Sequence, residues 1–246
     1  MRCAILISGY TRTFAKTYDN LTNFINSNKN IKFDLFISVN EGEKELGKHK
    51  GSINTLNSNI NLLKKLNPKI LYFNDLENTK LEDTNNTQYL NLSNLYDLFI
   101  EYSKNNGINY DLLIRSRFDN LILKHPNLES MVKMNKKIIV PSGFFYGLSS
   151  DLKFRLDKVD WWKKAKDLGK IDEKIKYNFI INDRFAIGGP DSMKYYFNFG
   201  EIESKIHDFT SDIFGLKSTE GAMAFHLKRN GIRIIWDEKL ITQIVR

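Results

Sequence analysis

Short apolar runs alternate along this chain with longer stretches in which apolar residues recur every three or four positions. The short runs predict buried strands, and the longer stretches predict helices with one apolar face. The predicted strands are 3–8, 33–39, "KILYF", "YDLLIRSRFDNLIL", "KKIIVPSG", the start of "RFAIGGPDSM" and "IRIIW".

Proline, glycine and hydroxyl-bearing residues mark the ends of the helical stretches. The predicted helices begin near Thr13, cover 53–66, run from Ser93 to Gly107, begin at Pro190 and cover "STEGAMAFHLKRNG". Residues 74–88 are polar and predict a loop, and 142–157 predict a flexible loop over a site. Strands that alternate with helices are typical of an α/β protein with a largely parallel sheet. Because no linker, repeat or low-complexity block interrupts the pattern, residues 1–246 are predicted to form one domain.

The run "YDLLIRSRFDNLIL" breaks the apolar pattern with Arg115, Arg117 and Asp119. Successive side chains of a strand point to opposite faces, so the three alternate charges are predicted to share one face. A surface strand could carry such a row without a function. At the end of a strand that is buried on both faces, three charges on one side indicate a ligand.

Polar residues follow two other predicted strands, and ligands of open α/β sheets bind beyond the carboxyl ends of the strands. The first strand leads into Ser8, Gly9, Tyr10, Thr11 and Arg12, and the second ends at Asn40. Glycine permits a close approach to the backbone, the tyrosine ring offers a surface for a nucleobase, and arginine can bind phosphate through two N–H groups. Neither a phosphate-binding GxxxxGK[ST] motif nor a GxGxxG motif is present, and the loop alone is also typical of an ordinary turn.

Asp119 has two interpretations. A carboxylate at a strand end can hold Mg²⁺ or Mn²⁺, which binds oxygen ligands and keeps positions for a diphosphate. Alternatively, Asp119 forms a buried salt bridge with Arg115 or Arg117.

The charge of the chain is strongly positive, with a formal net charge of +8 and a pI near 9.3. This charge fits either a nucleic-acid-binding protein or a basic cleft for a phosphorylated small molecule. No nucleic-acid recognition motif accompanies the charge, so the second interpretation is favoured. The single cysteine, Cys3, cannot form a disulfide within the chain, and the first ten residues lack the features of a signal peptide. These features predict a cytoplasmic protein, in the host cytoplasm if the chain is viral.

Five segments, taken in order, resemble a group of glycosyltransferase-A-type proteins of bacteria and large DNA viruses. They are "AILISGYTRTF", "FDLFISVN", "YDLLIRSRFD", "INDRFAIGGPDSM" and "TEGAMAFHLKRNGI". The resemblance implies a single Rossmann-like domain with a mostly parallel mixed sheet flanked by helices. It also implies an enzyme that moves a sugar from a nucleoside-diphosphate sugar to a glycan or another hydroxyl acceptor.

The family pattern implies roles for residues at the ends of the predicted strands. Proteins of this fold usually carry an Asp-x-Asp motif that binds Mn²⁺ or Mg²⁺ after the fourth strand. Asp119 matches the second aspartate of that motif, whereas Arg117 stands at the first, where it could contact phosphate or hold Asp119. The resemblance assigns nucleotide-sugar binding to the Ser8–Arg12 loop, Asn40, Arg115 and Arg117.

Two further carboxylates are candidates for the base that deprotonates the acceptor in an inverting enzyme. The resemblance implies that Asp183 lies beside the donor sugar or the acceptor, although it could instead pair with Arg184 or cap a turn. Glu220 opens a helix, where a carboxylate is stabilised by the helix dipole whatever its role. Inverting members of the fold commonly place their base at such a position.

Two alternatives to an enzyme stay open. Because the first aspartate of the metal motif is missing, the chain could be a non-catalytic module that binds a nucleotide or a glycan. A basic nucleic-acid-binding protein is the other alternative. The pair Trp161 and Trp162, followed by lysines, fits an acceptor-site wall or a peripheral contact with a membrane.

Overall fold

A seven-stranded sheet forms the centre of the molecule. The computed structural model describes residues 1–41, 56–75, 84–132, 135–141, 181, 184–202, 219–237 and 239–245. In chain order the strands are β1 (Arg2–Gly9), β2 (Lys32–Glu41), β3 (Ile70–Asp75), β4 (Leu112–Ser116), β5 (Asn120–Lys124), β6 (Lys137–Pro141), β7 (Ala186–Gly188), β8 (Arg233–Asp237) and β9 (Ile241–Ile244). The large sheet has the order β3-β2-β1-β4-β7-β6-β8, and β5 pairs with β9 in a separate two-stranded sheet.

The large sheet is mixed but mostly parallel, as the alternation of strands and helices predicts. Strand β7 runs antiparallel to both of its neighbours, β4 and β6, and the other described pairings of this sheet are parallel. From β1 the chain moves outward to β2 and β3, and then returns to place β4 on the other side of β1. The order therefore reverses between β1 and β4. In open α/β sheets such a reversal opens a crevice outside the carboxyl ends of the strands.

Helices cover both faces of the large sheet. The described α-helices are α1 (Phe14–Ser27), α2 (Leu56–Lys65), α3 (Thr84–Asn105), α4 (Pro190–Phe197) and α5 (Thr219–Arg229). Helices α1 and α2 pack with Ile5 and Ile7 of β1, whereas α3, α4 and α5 pack with Ala4 and Leu6. Because β1 is apolar on both faces, it lies between two hydrophobic cores rather than at a surface.

Helix α3 begins earlier than the polar composition of its first turns predicts. Residues 74–88 were expected to form a loop and the helix to open near Ser93, but α3 begins at Thr84. Its first half lies over the carboxyl ends of the strands, where Asn91 donates a hydrogen bond to Asn40. Gln88 of the same half contacts Arg117. The prediction of a loop was therefore wrong for residues 84–88, which are helical, and for 74 and 75, which belong to β3, whereas 76–83 lie outside the described residues.

The predicted fourth strand is two strands separated by a turn. Strand β4 ends at Ser116, and the backbone N–H of Asn120 donates to the carbonyl of Arg117 over 3.4 Å before β5 begins. The prediction that three charges share one face of a strand was therefore wrong. Arg115 lies in β4, whereas Arg117 and Asp119 belong to the turn.

A close approach between two backbones joins the helices of one face. A Cβ atom added to Gly200 would lie 2.2 Å from the carbonyl oxygen of Tyr89 in α3. Ser93 reinforces the same contact, because its hydroxyl donates to the carbonyl of Phe197 over 2.6 Å. Only a residue without a side chain fits at position 200.

We expect Gly200→Ala to lower the free energy of unfolding by about 3 kcal/mol, because the new methyl group must displace backbone rather than a side chain that can rotate. Chemical denaturation followed by circular dichroism measures the change. Glu201→Ala is the control, since that neighbouring side chain is exposed and its loss should change the stability by less than about 0.5 kcal/mol. Equal effects of the two substitutions would contradict the close approach.

Candidate functional site

The carboxyl ends of β2, β1 and β4 meet at one edge of the large sheet. The pairing register places Ser8 beside Ser38 and Ile7 beside Ser116. The Ser8–Arg12 loop, Asn40 and the segment 115–119 therefore come together at the reversal of strand order. We call this region the switch-point edge.

The loop after β1 has a defined conformation. Gly9 adopts a φ of +132°, which strongly favours glycine, and among the described residues no atom lies within 4 Å of a Cβ added there. The carbonyl oxygen of Thr11 accepts hydrogen bonds from the side chain of Asn59 (2.9 Å) and the backbone N–H of Phe14 (2.7 Å). The Arg12 guanidinium lies over the Tyr10 ring, 5.5 Å from its centroid. The loop thus presents an open backbone position beside an aromatic ring and a cation.

Buried side-chain atoms without a hydrogen-bond partner among the described residues occur in this loop and at the start of β5. They include the hydroxyl oxygens of Ser8 and Thr11 and both amide atoms of Asn120. All three residues are at least nine-tenths buried. A buried polar group without a partner costs about 1–3 kcal/mol, so such groups call for an explanation. The position of Ser8 and Thr11 at the switch-point edge favours a polar ligand there.

Asn40 is the centre of a buried amide cluster. Its side-chain oxygen accepts from Asn91 of α3 over 2.6 Å and from Asn74 of β3 over 3.4 Å. Asn74 also donates to the hydroxyl of Ser38. Two donors from two elements fix the orientation of the Asn40 amide. The sequence prediction did not include Asn74 or Asn91, although Asn74 lies beside Asn40, each one residue before the end of its strand.

Arg115 brings a permanent positive charge into the interior below the switch-point edge. The residue is 0% exposed, and its guanidinium donates to the backbone carbonyl of Ser116. Full burial is rare for an arginine, and it occurs where the side chain has partners. The buried charge raises the electrostatic potential where the carboxyl ends of β1 and β4 meet.

Arg117 and Asp119 form a two-point ion pair within the turn. Nε of Arg117 donates to Oδ1 of Asp119 over 2.9 Å, and an Nη donates to Oδ2 over 2.8 Å. Gln88 of α3 accepts a longer bond from the same guanidinium, at 3.4 Å. The side chains are partly exposed, at 24% for Arg117 and 18% for Asp119. Of the two interpretations of Asp119, the salt bridge is therefore present, and its partner is Arg117.

The surroundings of Asp119 do not match those of a divalent cation in the described arrangement. Both of its oxygens already accept hydrogen bonds from a guanidinium. A divalent cation bound to the same carboxylate would lie close to that positive charge. Within the described residues no group of three His, Cys, Asp or Glu side chains could complete a metal site. The metal role of Asp119 stays a prediction.

Helix α1 holds the turn that carries this ion pair. The Thr17 hydroxyl donates to the carbonyl of Phe118, and the Phe118 ring packs edge-on against Phe14 with centroids 5.2 Å apart. The side chain of Asn20 forms two hydrogen bonds with the backbone of Ile122, at 2.7 and 3.1 Å. The loop after β1 and the turn after β4 are therefore fixed to one helix.

The chain near its carboxyl end reaches the same turn. Strand β9 pairs with β5, and the backbone N–H of Val245 donates to the carbonyl of Asp119 over 2.9 Å. The sequence prediction ended at "IRIIW" and missed β9. A four-residue strand with the pattern Ile-Thr-Gln-Ile gives a weak signal, and its pairing partner is more than a hundred residues away.

The two candidate bases differ in what the structure describes. Glu220 lies in the first turn of α5, half-buried, and its backbone carbonyl accepts from the N–H of Ile181 over 3.5 Å. Asp183 lies outside the described residues, as do Trp161, Trp162 and the predicted loop 142–157. Arg184 is described, and it precedes β7, which pairs with β4 at Arg115.

Comparison with models of known protein families finds no match to this chain, and comparison with curated proteins finds none either. Among the described helices, none is long and apolar enough to cross a membrane.

Asn20→Ala is expected to lower the free energy of unfolding by about 1–2 kcal/mol, because both backbone groups of Ile122 lose their side-chain partner. Hydrogen exchange should show faster exchange of the Ile122 amide. Asn23→Ala is a matched control, since Asn23 is exposed on the same helix. Equal stabilities of the two variants and equal exchange rates of the Ile122 amide would contradict a role of Asn20 in holding β5.

Proposed function

We propose that this chain is a glycosyltransferase of the glycosyltransferase-A type, which transfers a sugar from a nucleoside-diphosphate sugar to a glycan or another hydroxyl acceptor. The observation that carries the proposal is the meeting of two loops at the switch-point edge. The loop after β1 offers an aromatic ring and a cation, and the turn after β4 offers Arg117 and Asp119, with Arg115 buried in β4 beside them. This combination suits a ligand with a flat base and a diphosphate.

The loop after β1 would hold the nucleotide. Tyr10 provides a ring for the base, Arg12 provides donors for phosphate oxygens, and the open backbone at Gly9 permits close approach. The unpartnered hydroxyls of Ser8 and Thr11 would find acceptors on the same ligand. Asn40, oriented by its two amide donors, would contact the base or ribose.

The carboxyl end of β4 and the turn after it would stabilise the leaving group. Negative charge develops on the departing diphosphate when the bond from the sugar carbon to the phosphate oxygen breaks. Positive groups that are fixed before the reaction stabilise such charge without reorganising. Arg115 and Arg117 meet this requirement, because one is buried in a strand and the other is held by Asp119. If Mn²⁺ or Mg²⁺ takes part, Asp119 is the residue that would hold it.

A carboxylate would take the proton of the acceptor hydroxyl if the reaction inverts the anomeric centre. Glu220 and Asp183 are the candidates for that role. If the reaction retains the configuration, a separate base is not required.

A non-catalytic nucleotide- or glycan-binding module is the second candidate. The observation that favours it is the ion pair, since Arg117 occupies one position of the expected metal motif and engages the other. Such a module would bind the same ligands and leave them intact.

Incubation of the protein with a panel of nucleotide sugars, a mixture of sugar acceptors and Mn²⁺ distinguishes a glycosyltransferase from a non-catalytic binding module. We expect one donor to be consumed, with release of its nucleoside diphosphate and formation of a glycoside detectable by mass spectrometry. Binding without release would support the non-catalytic module instead. Absence of both would overturn the nucleotide-sugar site.

Arg12→Ala should weaken binding of the nucleoside diphosphate about tenfold or more, because a charge-assisted contact to phosphate is lost. Calorimetry measures the affinity. Lys16→Ala, which removes an exposed cation from the first turn of α1, is the matched control and should change the affinity less than twofold. Similar losses in both variants would indicate general electrostatic attraction rather than a contact from Arg12.

A further inference from the structure

The two-point ion pair between Arg117 and Asp119 lies in the turn after β4, where the resemblance to glycosyltransferase-A-type proteins implies a metal-binding motif. We propose that the Arg117 guanidinium, positioned by Asp119, contacts the diphosphate directly and serves in place of a divalent cation. Binding of the nucleoside diphosphate would then be independent of metal. The inference rests on the proposed function and specifies how its leaving group is held.

Positive charge at the end of β4 and in the turn after it favours direct contact with a diphosphate. The segment 115–119 contains two arginines and one aspartate, a formal charge of +2 − 1 = +1. A protein site for a divalent cation supplies negative or neutral oxygen ligands, and this segment supplies one carboxylate among two guanidinium groups. A diphosphate, which is negative, is attracted to such a segment without an intervening cation.

The geometry of Asp119 indicates that this carboxylate orients the Arg117 guanidinium. Both carboxylate oxygens accept from Arg117, at 2.9 and 2.8 Å, so the carboxylate is oriented toward the guanidinium. Gln88 contacts the guanidinium from α3. Contacts from a turn and from a helix restrict the long arginine side chain, and less side-chain entropy is then lost when phosphate binds. Asp119 is in this arrangement a positioning residue rather than a metal ligand.

Helix α1 holds the turn that carries Arg117. Phe118, between the two charged residues, is 2% exposed and is held by Phe14 and Thr17 of α1. The same helix follows directly from the loop proposed to hold the nucleotide. Arg117 is thus fixed relative to that loop, and its partly exposed side chain lies at the surface of the switch-point edge.

The transfer step balances without a metal. The bond between the anomeric carbon and the diphosphate oxygen breaks, and its electron pair stays on that oxygen, beside Arg117. A new bond forms between the anomeric carbon and the acceptor oxygen. The acceptor proton passes to a carboxylate of the chain or to the departing phosphate. Neither an oxidant nor a reductant is involved.

Affinity for a nucleoside diphosphate, measured by calorimetry with EDTA and with Mn²⁺, tests the inference. The probe is whichever of UDP, GDP, ADP, CDP and TDP raises the melting temperature of the unmodified chain most. We expect affinities within threefold of each other under the two conditions, and donor consumption that persists in EDTA. Binding and consumption that vanish in EDTA and return with Mn²⁺ would overturn the inference and leave the proposed function standing.

Variants at the pair separate the guanidinium from a metal site. In EDTA, Arg117→Ala should weaken binding about ten- to a hundredfold, and Arg117→Lys should fall between that variant and the unmodified chain. Asp119→Asn should weaken binding less than Arg117→Ala, because the guanidinium remains. If Asp119 were a metal ligand, Asp119→Asn would be the more damaging change, and that order of effects would contradict the inference.

Arg117→Asp creates an Asp-x-Asp pair and should make binding dependent on Mn²⁺. Lys124→Ala, which removes an exposed cation from β5, is the control and should leave the affinity within twofold. Circular dichroism confirms that each variant is folded.

One outcome would separate the two proposals. If the unmodified chain binds a nucleoside diphosphate in EDTA, Arg117→Ala loses that binding and no donor is consumed, the transferase is refuted and the phosphate contact of Arg117 is retained. No binding of any nucleoside diphosphate under either condition would overturn both.

Discussion

The parallel pairing of β1 with β4 is the constraint on which the rest of the structure depends. Both strands are buried on both faces, so their apolar residues fix them in the middle of the sheet between two layers of helices. The chain must therefore leave each strand at the same edge, and the two exits lie side by side. Polar groups that would be scattered in another topology are concentrated there, because the interior on either side consists mostly of apolar residues.

This arrangement explains why charged residues follow so closely on an apolar strand. Arg115 is still within β4 and is fully buried, whereas Arg117 and Asp119 lie two and four residues further on, where the backbone has turned. Desolvating a guanidinium is costly unless its charge is balanced, and the ion pair with Asp119 supplies that balance for Arg117 at the partly exposed end of the segment. The turn keeps its charge near the edge because Phe118 anchors it in the core beneath α1.

Much of the fold follows from the alternation of strand-like and helix-like patterns of apolar residues. The parts that could not be predicted in this way differ for physical reasons. The mostly parallel sheet was predictable because β1, β2 and β4 are largely apolar runs. The turn at 117–119 was not, because Arg-Phe-Asp contains neither glycine nor proline, and the alternation of charges imitates an extended chain. The start of α3 was hidden by asparagines and threonines, which are weak helix formers unless they have partners, as Asn91 has in Asn40. Strand β9 pairs with a strand more than a hundred residues away, and local periodicity does not report such a pairing.

The interactions within the candidate site were harder to predict from the sequence than the strands and helices. Polar residues after the predicted strands identified several residues of the switch-point edge, yet they could not tell whether Asp119 faces a cation or a guanidinium. That difference depends on the conformation of the backbone between Ser116 and Asn120, which brings Nε and Nη of Arg117 within 3 Å of the two carboxylate oxygens. Because of the turn, Arg115 is buried in β4 while Arg117 and Asp119 form a neutral pair. The backbone conformation of residues 116–119, rather than the amino-acid composition, therefore determines the electrostatic character of the site.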